Sequence, residues 1–206
     1  QVPFVLSPTL RDSGADVKAL SGDTIPIPRA ELGHVPSGLA ADGDVFIFPA
    51  SFGQRRLWFL DRFEPGSPYY NIPLAFRLRG RFDPVVFRRA VQMIVERHEV
   101  LRTTIREYQG EPVQVIDPHG IAHFTEEDLF SVPVEGRDAE VRSRAIAEAR
   151  TPFELARGPL FRTRLIHVTQ DDTVVLMTLH HCIADGWSMA VLMQEIVALY
   201  AACSQA

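Results

Sequence analysis

Residues 173–188, TVVLMTLHHCIADGWS, are the stretch that decides the fold of this chain. The β-branched and apolar run 173–179 predicts a buried strand that ends in two adjacent histidines, and a helix is predicted after Gly186. Successive side chains of a strand point to opposite faces, so only one of His180 and His181 can face a given cleft. Since burying a polar ring without a partner is costly, we predict one catalytic and one architectural imidazole.

The chemistry available at this strand end is that of a neutral-pH acid or base. An imidazole titrates near neutrality, so it can take a proton from an attacking amine or hydroxyl, or hydrogen-bond that nucleophile. Asp185 follows after a turn, where its carboxylate could orient the imidazole or steady the loop through an arginine. Gly186 allows a tight backbone at the start of the next helix. On these residues alone, a purely structural histidine pair is an equal alternative.

On the N-terminal side of this stretch, apolar residues recur in some segments every two residues and in others about every 3.6 residues. This pattern predicts strands and helices mixed along the chain. Asp83 suits a helix N-cap with Pro84 at the first helical position, and Gln109-Gly110 suits a hairpin turn. This order predicts an α/β fold, a two-layer sandwich of a mixed sheet packed with helices. Strands are predicted over 45–48, 68–78, 101–107, 112–116, 160–167 and 173–180, and helices over 51–63, 84–96, 138–149 and from 187 onward.

The chain divides into two regions of different composition. Residues 1–45 are rich in Pro, Gly, Asp and Ala, which predicts an inter-domain linker or docking segment, and 46–206 is predicted to be the folded unit. The first residue is Gln1 and the last predicted helix continues to Ala206 without a terminating Gly or Pro. We therefore expect the chain to be part of a longer polypeptide.

The overall composition is that of a globular protein, with 46% hydrophobic and 23% charged residues. A net charge of −5 gives nucleic-acid binding little support. The longest apolar runs are shorter than the roughly 18 residues of a membrane-spanning helix, and no leader sequence is apparent, so a cytoplasmic location without a membrane partner is expected.

Metal binding is not expected. His180, His181 and Cys182 are consecutive, so their side chains diverge, and no fourth ligand is nearby in sequence. His119 and His123 have helical metal-pair spacing, but Pro118 and Gly120 predict a loop there. Cys182 is expected to be a buried and inert thiol, because it would face away from whatever His181 faces.

Three ordered motifs resemble those of a known family. Residues 180–186, HHCIADG, match HHxxxDG; residues 51–60, SFGQRRLWFL, resemble SxAQxRLWxL with Gly at the alanine position; and residues 97–103, RHEVLRT, are similar to RHExLRT. The resemblance that these motifs carry covers residues 48 to about 200. The chain therefore resembles the N-terminal lobe of a nonribosomal peptide synthetase condensation domain, in the chloramphenicol acetyltransferase-like superfamily of two-lobed pseudo-dimers.

The resemblance implies an amide-forming acyltransferase of secondary-metabolite and antibiotic biosynthesis. A carrier-bound acyl or peptidyl thioester is attacked by the amine of a carrier-bound aminoacyl group, and His181 deprotonates or positions that amine. The resemblance also implies that Gly186 contributes its backbone N–H near the thioester oxygen. It makes Asp185 mainly structural and Arg97 its ion-pair partner. His180 and Arg102 are expected to be structural, although Arg102 could instead pair with a carboxylate near the site.

The implied partners are upstream and downstream carrier proteins, a C-terminal lobe and an adenylation domain. Both substrates ride on phosphopantetheine arms, so no directly bound cofactor is expected. Residues 46–206 alone should have little activity, because the reaction tunnel lies between two lobes. The alternatives are a coenzyme A- or carrier-dependent O- or N-acyltransferase of the same superfamily, and a non-catalytic carrier-docking module. Cyclisation is disfavoured, because its motif has aspartates in place of the paired histidines.

Overall fold

The computed structural model describes residues 46–205, so the segment 1–45 lies outside the described residues. The helices and strands follow one another as β1 Phe46–Pro49, α1 Phe52–Phe63, β2 Asn71–Arg79, α2 Pro84–Arg97, β3 Thr103–Tyr108, β4 Glu111–Ile116, β5 His123–Asp128, α3 Val134–Arg150, β6 Phe161–Thr169, β7 Asp172–His180 and α4 Gly186–Ser204. Two 3₁₀ turns, Pro68–Tyr70 and Glu99–Arg102, precede β2 and β3.

The strands form two sheets. The larger sheet has the order β2-β7-β6-β5, with β5 parallel to β6 and the other pairs antiparallel. The smaller sheet, β1-β4-β3, is antiparallel throughout. The predicted α/β class with a mixed sheet packed against helices is confirmed. The separate smaller sheet was not predicted, because local patterns do not specify which strands pair.

Strand β7 is buried on both faces, and this burial explains its continuous apolar sequence. Val175, Met177 and Leu179 face the main core, which includes buried residues of α2 and α4. Val174 and Leu176 face the opposite side, where they form a second cluster against α3. The strand that ends in His180 therefore lies between two apolar clusters.

Helix starts agree with the expected capping chemistry. The Asp83 side chain accepts hydrogen bonds from the N–H groups of Val85 and Val86, and Pro84 occupies the first helical turn, as predicted. Helix α1 begins with a capping box in which Ser51 Oγ accepts from Gln54 N and Gln54 Oε1 accepts from Ser51 N.

Two local predictions were wrong. Residues 68–70 form a 3₁₀ turn, so the strand predicted over 68–78 begins only at Asn71. His123 begins β5 instead of lying in a loop. This strand was missed because it is a polar edge strand, and its stability depends on partners distant in sequence such as His167 and Arg164, which bind Glu126 and Glu127.

Helix α4 is the one described helix that has the length and apolar composition to cross a membrane. This is weak evidence, because helices of a protein core share these properties. Met189, Leu192 and Ile196 of α4 are buried in the main core.

Candidate active site

The two histidines at the end of β7 have opposite environments. His180 is 3% exposed, whereas His181 is exposed to solvent. Their backbones are tied to different neighbours: His180 N donates to Leu160 O and His181 N donates to Tyr70 O, at 3.0 and 2.9 Å. The strand ends at His180, so this residue lies in the packed strand, whereas His181 begins the exposed turn that follows it.

The buried histidine is a structural group. His180 Nδ1 accepts a hydrogen bond from Cys182 N at 3.2 Å, and its ring packs edge-on against Tyr70 and Phe153. Burial, together with the nearby His181, lowers the pKa of His180 to about 4. The ring is neutral at neutral pH, and the bond to Nδ1 leaves its proton on Nε2.

The neighbouring cysteine is buried, as predicted. Cys182 Sγ lies 2.9 Å from His180 Nδ1, and burial raises the pKa of the Cys182 thiol to about 12. A thiol with that pKa is not a nucleophile at neutral pH. In the part of the chain that the structure describes, no group of three or more His, Cys, Asp or Glu side chains is arranged to hold a metal ion.

The exposed histidine is held by its backbone alone. Within residues 46–205, no side chain hydrogen-bonds the ring of His181. The imidazole is therefore available to a substrate, and its direction is set by the conformation of the loop 181–185. The suggestion that Asp185 orients this ring is not supported.

Asp185 instead starts helix α4. Its carboxylate accepts from Ser188 N at 2.8 Å, while Asp185 N donates to Ser188 Oγ at 2.7 Å, which completes a capping box. These bonds from the Ser188 backbone and side chain lower the pKa of Asp185. The helix start is thereby attached to the histidine loop.

The predicted ion pair between Arg97 and Asp185 is wrong. Arg97 Nε lies 3.8 Å from Glu195 Oε2, and the same carboxylate contacts His98 Nε2 at 2.6 Å. Helix α2 packs along α4, and Glu195 is ten residues beyond Asp185, or about 15 Å along the helix. The carboxylate of Asp185 is also already occupied by the helix cap.

Arg102 likewise makes no contact with the histidine loop among the contacts described. It pairs with Glu99 at 3.6 Å and donates to Asp117 O. Its Nε is buried without a hydrogen-bond partner. Arg102 therefore joins the 3₁₀ turn Glu99–Arg102 to the end of β4.

Gly186 has open space around it. A Cβ built at this position would meet no atom within 4 Å, and its φ is not positive. The predicted need for a tight backbone is therefore wrong. Glycine here instead leaves the first turn of α4 open to close approach by another molecule.

A mainly apolar cavity of about 180 Å³ lies beside the histidine loop. The loop residues Ile183 and Ala184 form one part of its wall, and Trp187 and Met189 of α4 form another. Val100 and His98 close the side that faces the end of α2. The cavity has the apolar character expected of a surface that packs against an acyl or side-chain group.

The residue that sequence reasoning missed is Gln54 of the first motif. Its side chain is buried and its Nε2 donates to the carbonyl of Cys182 at 3.2 Å, a contact across 128 residues of sequence. The capping-box spacing Ser51-x-x-Gln54 was a visible signal for the helix start. Nothing local indicated the contact with the histidine loop.

The fold and the site define a class of protein: an α/β lobe that presents one accessible histidine at the end of a central strand, followed by a capped helix. The sequence profile of the family described as "Condensation domain" matches residues 47–206. The chain belongs to this condensation domain family.

Relatives and solved structures agree with this assignment. The chain is 46% identical over 154 residues to a linear gramicidin synthase of Brevibacillus parabrevis, and 39% identical over 176 residues to chondramide synthase cmdD of Chondromyces crocatus. These matches cover 75% and 85% of this chain, but only 3% and 4% of the relatives.

The fold is similar to that of the starter condensation domain of rhizomide synthetase RzmA, with a TM-score of 0.71 and 23% identity. That match covers 77% of this chain and 38% of the other. The chain also matches holo-AB3403, a four-domain nonribosomal peptide synthetase bound to AMP and glycine, with a TM-score of 0.68 and 18% identity, over 80% of this chain and 12% of that chain. The predicted resemblance to a condensation domain, and to one lobe of its fold, is confirmed.

Proposed function

We propose that residues 46–206 form the N-terminal lobe of a condensation domain that joins a carrier-bound acyl or peptidyl thioester to a carrier-bound aminoacyl amine. The observation that carries this proposal is the accessible imidazole of His181, on a hydrogen-bonded loop in a chain that belongs to the condensation family. Peptide synthetases among the relatives support the amide-forming reaction.

In the proposed reaction the amine nitrogen attacks the thioester carbonyl carbon. The C–N bond forms, the C–S bond breaks, and the proton lost by the amine passes to His181, or is held by its hydrogen bond, before reaching the departing thiolate. Because a thioester is already activated, positioning the two reactants supplies much of the acceleration. We also propose that the backbone N–H of Gly186 stabilises developing negative charge on the thioester oxygen, and the open space around the first turn of α4 supports this role.

This chain covers only a small part of each relative, and we therefore propose that further domains act with it. The chain spans 38% of the rhizomide starter domain and a few per cent of the synthetases, so we propose that a second lobe completes the tunnel. We also propose upstream and downstream carrier proteins with phosphopantetheine arms and an adenylation domain. Arg97 and Arg102 then act in packing α2 and the 3₁₀ turn, not in the reaction.

The test is His181→Ala in the intact synthetase, with amide product measured from loaded carriers in a single turnover. Loss of a positioned acid–base group should lower the rate constant by about 10²-fold to 10⁴-fold. His119→Ala, the same substitution at an exposed histidine far from the loop in sequence, is the matched control and should not change the rate.

An unchanged product yield for His181→Ala would contradict the proposed chemistry. That result would favour the alternative of a docking module that keeps the fold without catalysis. An ester product formed from a coenzyme A thioester and a hydroxyl acceptor would instead favour the other acyltransferases of the superfamily.

A further inference from the structure

Gln54 uses its side-chain amide to connect three parts of the molecule. Its Oε1 accepts from Ser51 N at 2.8 Å, which starts helix α1. Its Nε2 donates to Gln114 Oε1 at 2.9 Å, on β4 of the smaller sheet, and to Cys182 O at 3.2 Å, in the histidine loop. The residue is buried, so none of these bonds competes freely with water.

The contact with Cys182 O differs from the other bonds made by residues 181–183. Those bonds hold N–H groups: His181 N to Tyr70 O, Cys182 N to His180 Nδ1, and Ile183 N to His180 O. The carbonyl of Cys182 is held by a side chain, from a helix that precedes it by more than a hundred residues. Rotation of this peptide unit would change the backbone next to His181, whose ring has no side-chain partner among residues 46–205.

We propose that Gln54 is a positioning residue that holds the direction of the His181 imidazole through the Cys182 carbonyl. The inference rests on the proposed role of His181. It assigns the first motif a function in the reaction: helix α1 supplies the group that fixes the histidine loop, and the smaller sheet fixes that group in turn.

The orientation of the amide follows from its neighbours. Gln114 Nε2 donates to Pro49 O at 3.2 Å, so Gln114 presents its oxygen to Gln54 and requires a donor there. A capping box functions equally well with Glu or Gln at this position. Only Gln can both accept from Ser51 N and donate to Cys182 O, so the helix cap alone does not account for an amide at 54.

This difference separates the two roles experimentally. Gln54→Glu keeps the oxygen that accepts from Ser51 N, but replaces the donor facing Cys182 O with an acceptor. Ser51→Ala does the opposite: it removes the Oγ that accepts from Gln54 N and leaves all three side-chain bonds of Gln54 in place, because Gln54 binds the backbone N–H of Ser51. Gln54→Met, of similar length and without charge, provides a second variant if the buried carboxylate prevents folding.

The experiment measures single-turnover amide formation and hydrogen–deuterium exchange in the intact synthetase. Gln54→Glu and Gln54→Met should lower the rate constant by about 10-fold to 100-fold, with little change in carrier affinity, because a small misplacement of a reacting group has that effect. Exchange in 181–186 should rise. Ser51→Ala should lower the melting temperature while leaving both the rate constant and exchange in 181–186 unchanged.

A wild-type rate for folded Gln54→Glu and Gln54→Met, with His181→Ala inactive, would overturn the positioning role and leave the proposed function intact. Activity in His181→Ala would overturn the proposed function itself. A uniform rise in exchange over 46–205 in Gln54→Met would show that Gln54 only stabilises the fold, and would also overturn the inference.

Discussion

At the scale of single residues, the environment divides two identical imidazoles into two roles. His180 is buried between Tyr70 and Phe153 and accepts a hydrogen bond, whereas the ring of its neighbour is open to solvent. The two residues differ because His180 is the last residue of β7, which is packed on both faces, whereas His181 begins the turn that follows the strand.

His180 should make the stability of the protein depend on pH. Its folded pKa of about 4 lies below the ordinary value of 6.5, so the unfolded chain binds the proton more readily. The free energy of unfolding is therefore highest with respect to this group above about pH 6.5, where His180 is neutral in both states. It falls as the pH drops from 6.5 toward 4. Between about pH 7 and about pH 5 the expected loss is about 2 kcal/mol.

Urea unfolding of the wild type and His180→Asn at the two pH values measures this loss. Asn provides an oxygen near the place of Nδ1 for the Cys182 N–H but does not titrate. The variant should lack most of the pH dependence between pH 7 and pH 5. If the free energy of unfolding depends on pH equally in the two proteins, His180 is not the group that causes the loss of stability.

Asp185 should act through its helix cap. Asp185→Ala removes the acceptor for Ser188 N and should lower both the melting temperature and the rate of amide formation, because the end of the histidine loop loses its attachment to α4. Asp185→Asn retains a capping oxygen and should restore most of both properties. If Asp185→Asn lowers the rate of amide formation as much as Asp185→Ala does, the negative charge of Asp185 is required, and the helix cap alone does not explain its role.

At the scale of helices and strands, α3 shows how an element with no buried residue is held in place. Its C-terminal end is bound from the larger sheet: Arg162 donates to Thr151 O and Pro152 O, and Asn71 Nδ2 donates to Ala149 O and Thr151 O. Ala149 O and Thr151 O lie at the end of the helix, where carbonyls have no partner within the helix, and Pro152 O lies just beyond it. Asn71 also pairs with His180 in the sheet register, so the end of α3 is attached next to the site.

The ion pair between Arg162 and Glu148 should be essential to this attachment. Both side chains are 13% exposed, Arg162 Nε lies 2.8 Å from Glu148 Oε1, and the guanidinium stacks over Phe153 at 3.8 Å. Arg162→Leu leaves the nearly buried Glu148 carboxylate with only the more distant Arg164, at 4.0 Å, and should lower the free energy of unfolding by up to about 3 kcal/mol. Adding Glu148→Leu should restore part of that loss, as measured by denaturant unfolding of both single variants and the double variant.

The β3–β4 hairpin offers a stabilising substitution. Gln109 and Gly110 have φ values of 52° and 83°, the left-handed pair of a two-residue hairpin turn, as the sequence predicted. Asn is more stable than Gln in this conformation, so Gln109→Asn should raise the free energy of unfolding by roughly 0.5 kcal/mol. The reciprocal control, Gly110→Ala, should lower it by about 1 kcal/mol. A destabilised Gln109→Asn would contradict this interpretation of the turn.

At the scale of the whole molecule, large apolar side chains remain exposed, and several of them lie on α1 and α4. Phe52, Phe59 and Phe63 lie at positions 0, 7 and 11 of one face of α1, and Trp187 and Val197 are exposed on α4. Exposed apolar surface of this kind is typical of a region that packs against another domain. This surface supports the proposal that a second lobe completes the condensation domain.

Residues 46–206 expressed alone should therefore form no detectable amide product from loaded carriers. The same residues joined to the second lobe should be active, because the tunnel requires both walls. The comparison is a single-turnover assay of the two proteins at equal concentration, with His181→Ala in the longer protein as the inactive reference. Turnover by the shorter protein at the rate of the longer one would refute the requirement.

The sequence by itself determined the order of most helices and strands, the α/β class, the helix start at Asp83, the turn at Gln109-Gly110 and the division of the two histidines, because hydrophobic period, capping and turn chemistry are local. Its motifs also indicated the family. Only the tertiary structure decided that the strands form two sheets, that Arg97 binds Glu195 instead of Asp185, and that Gln54 holds the histidine loop. These contacts join residues far apart in the chain, and their choice depends on how helices pack and on which polar groups burial leaves unpaired.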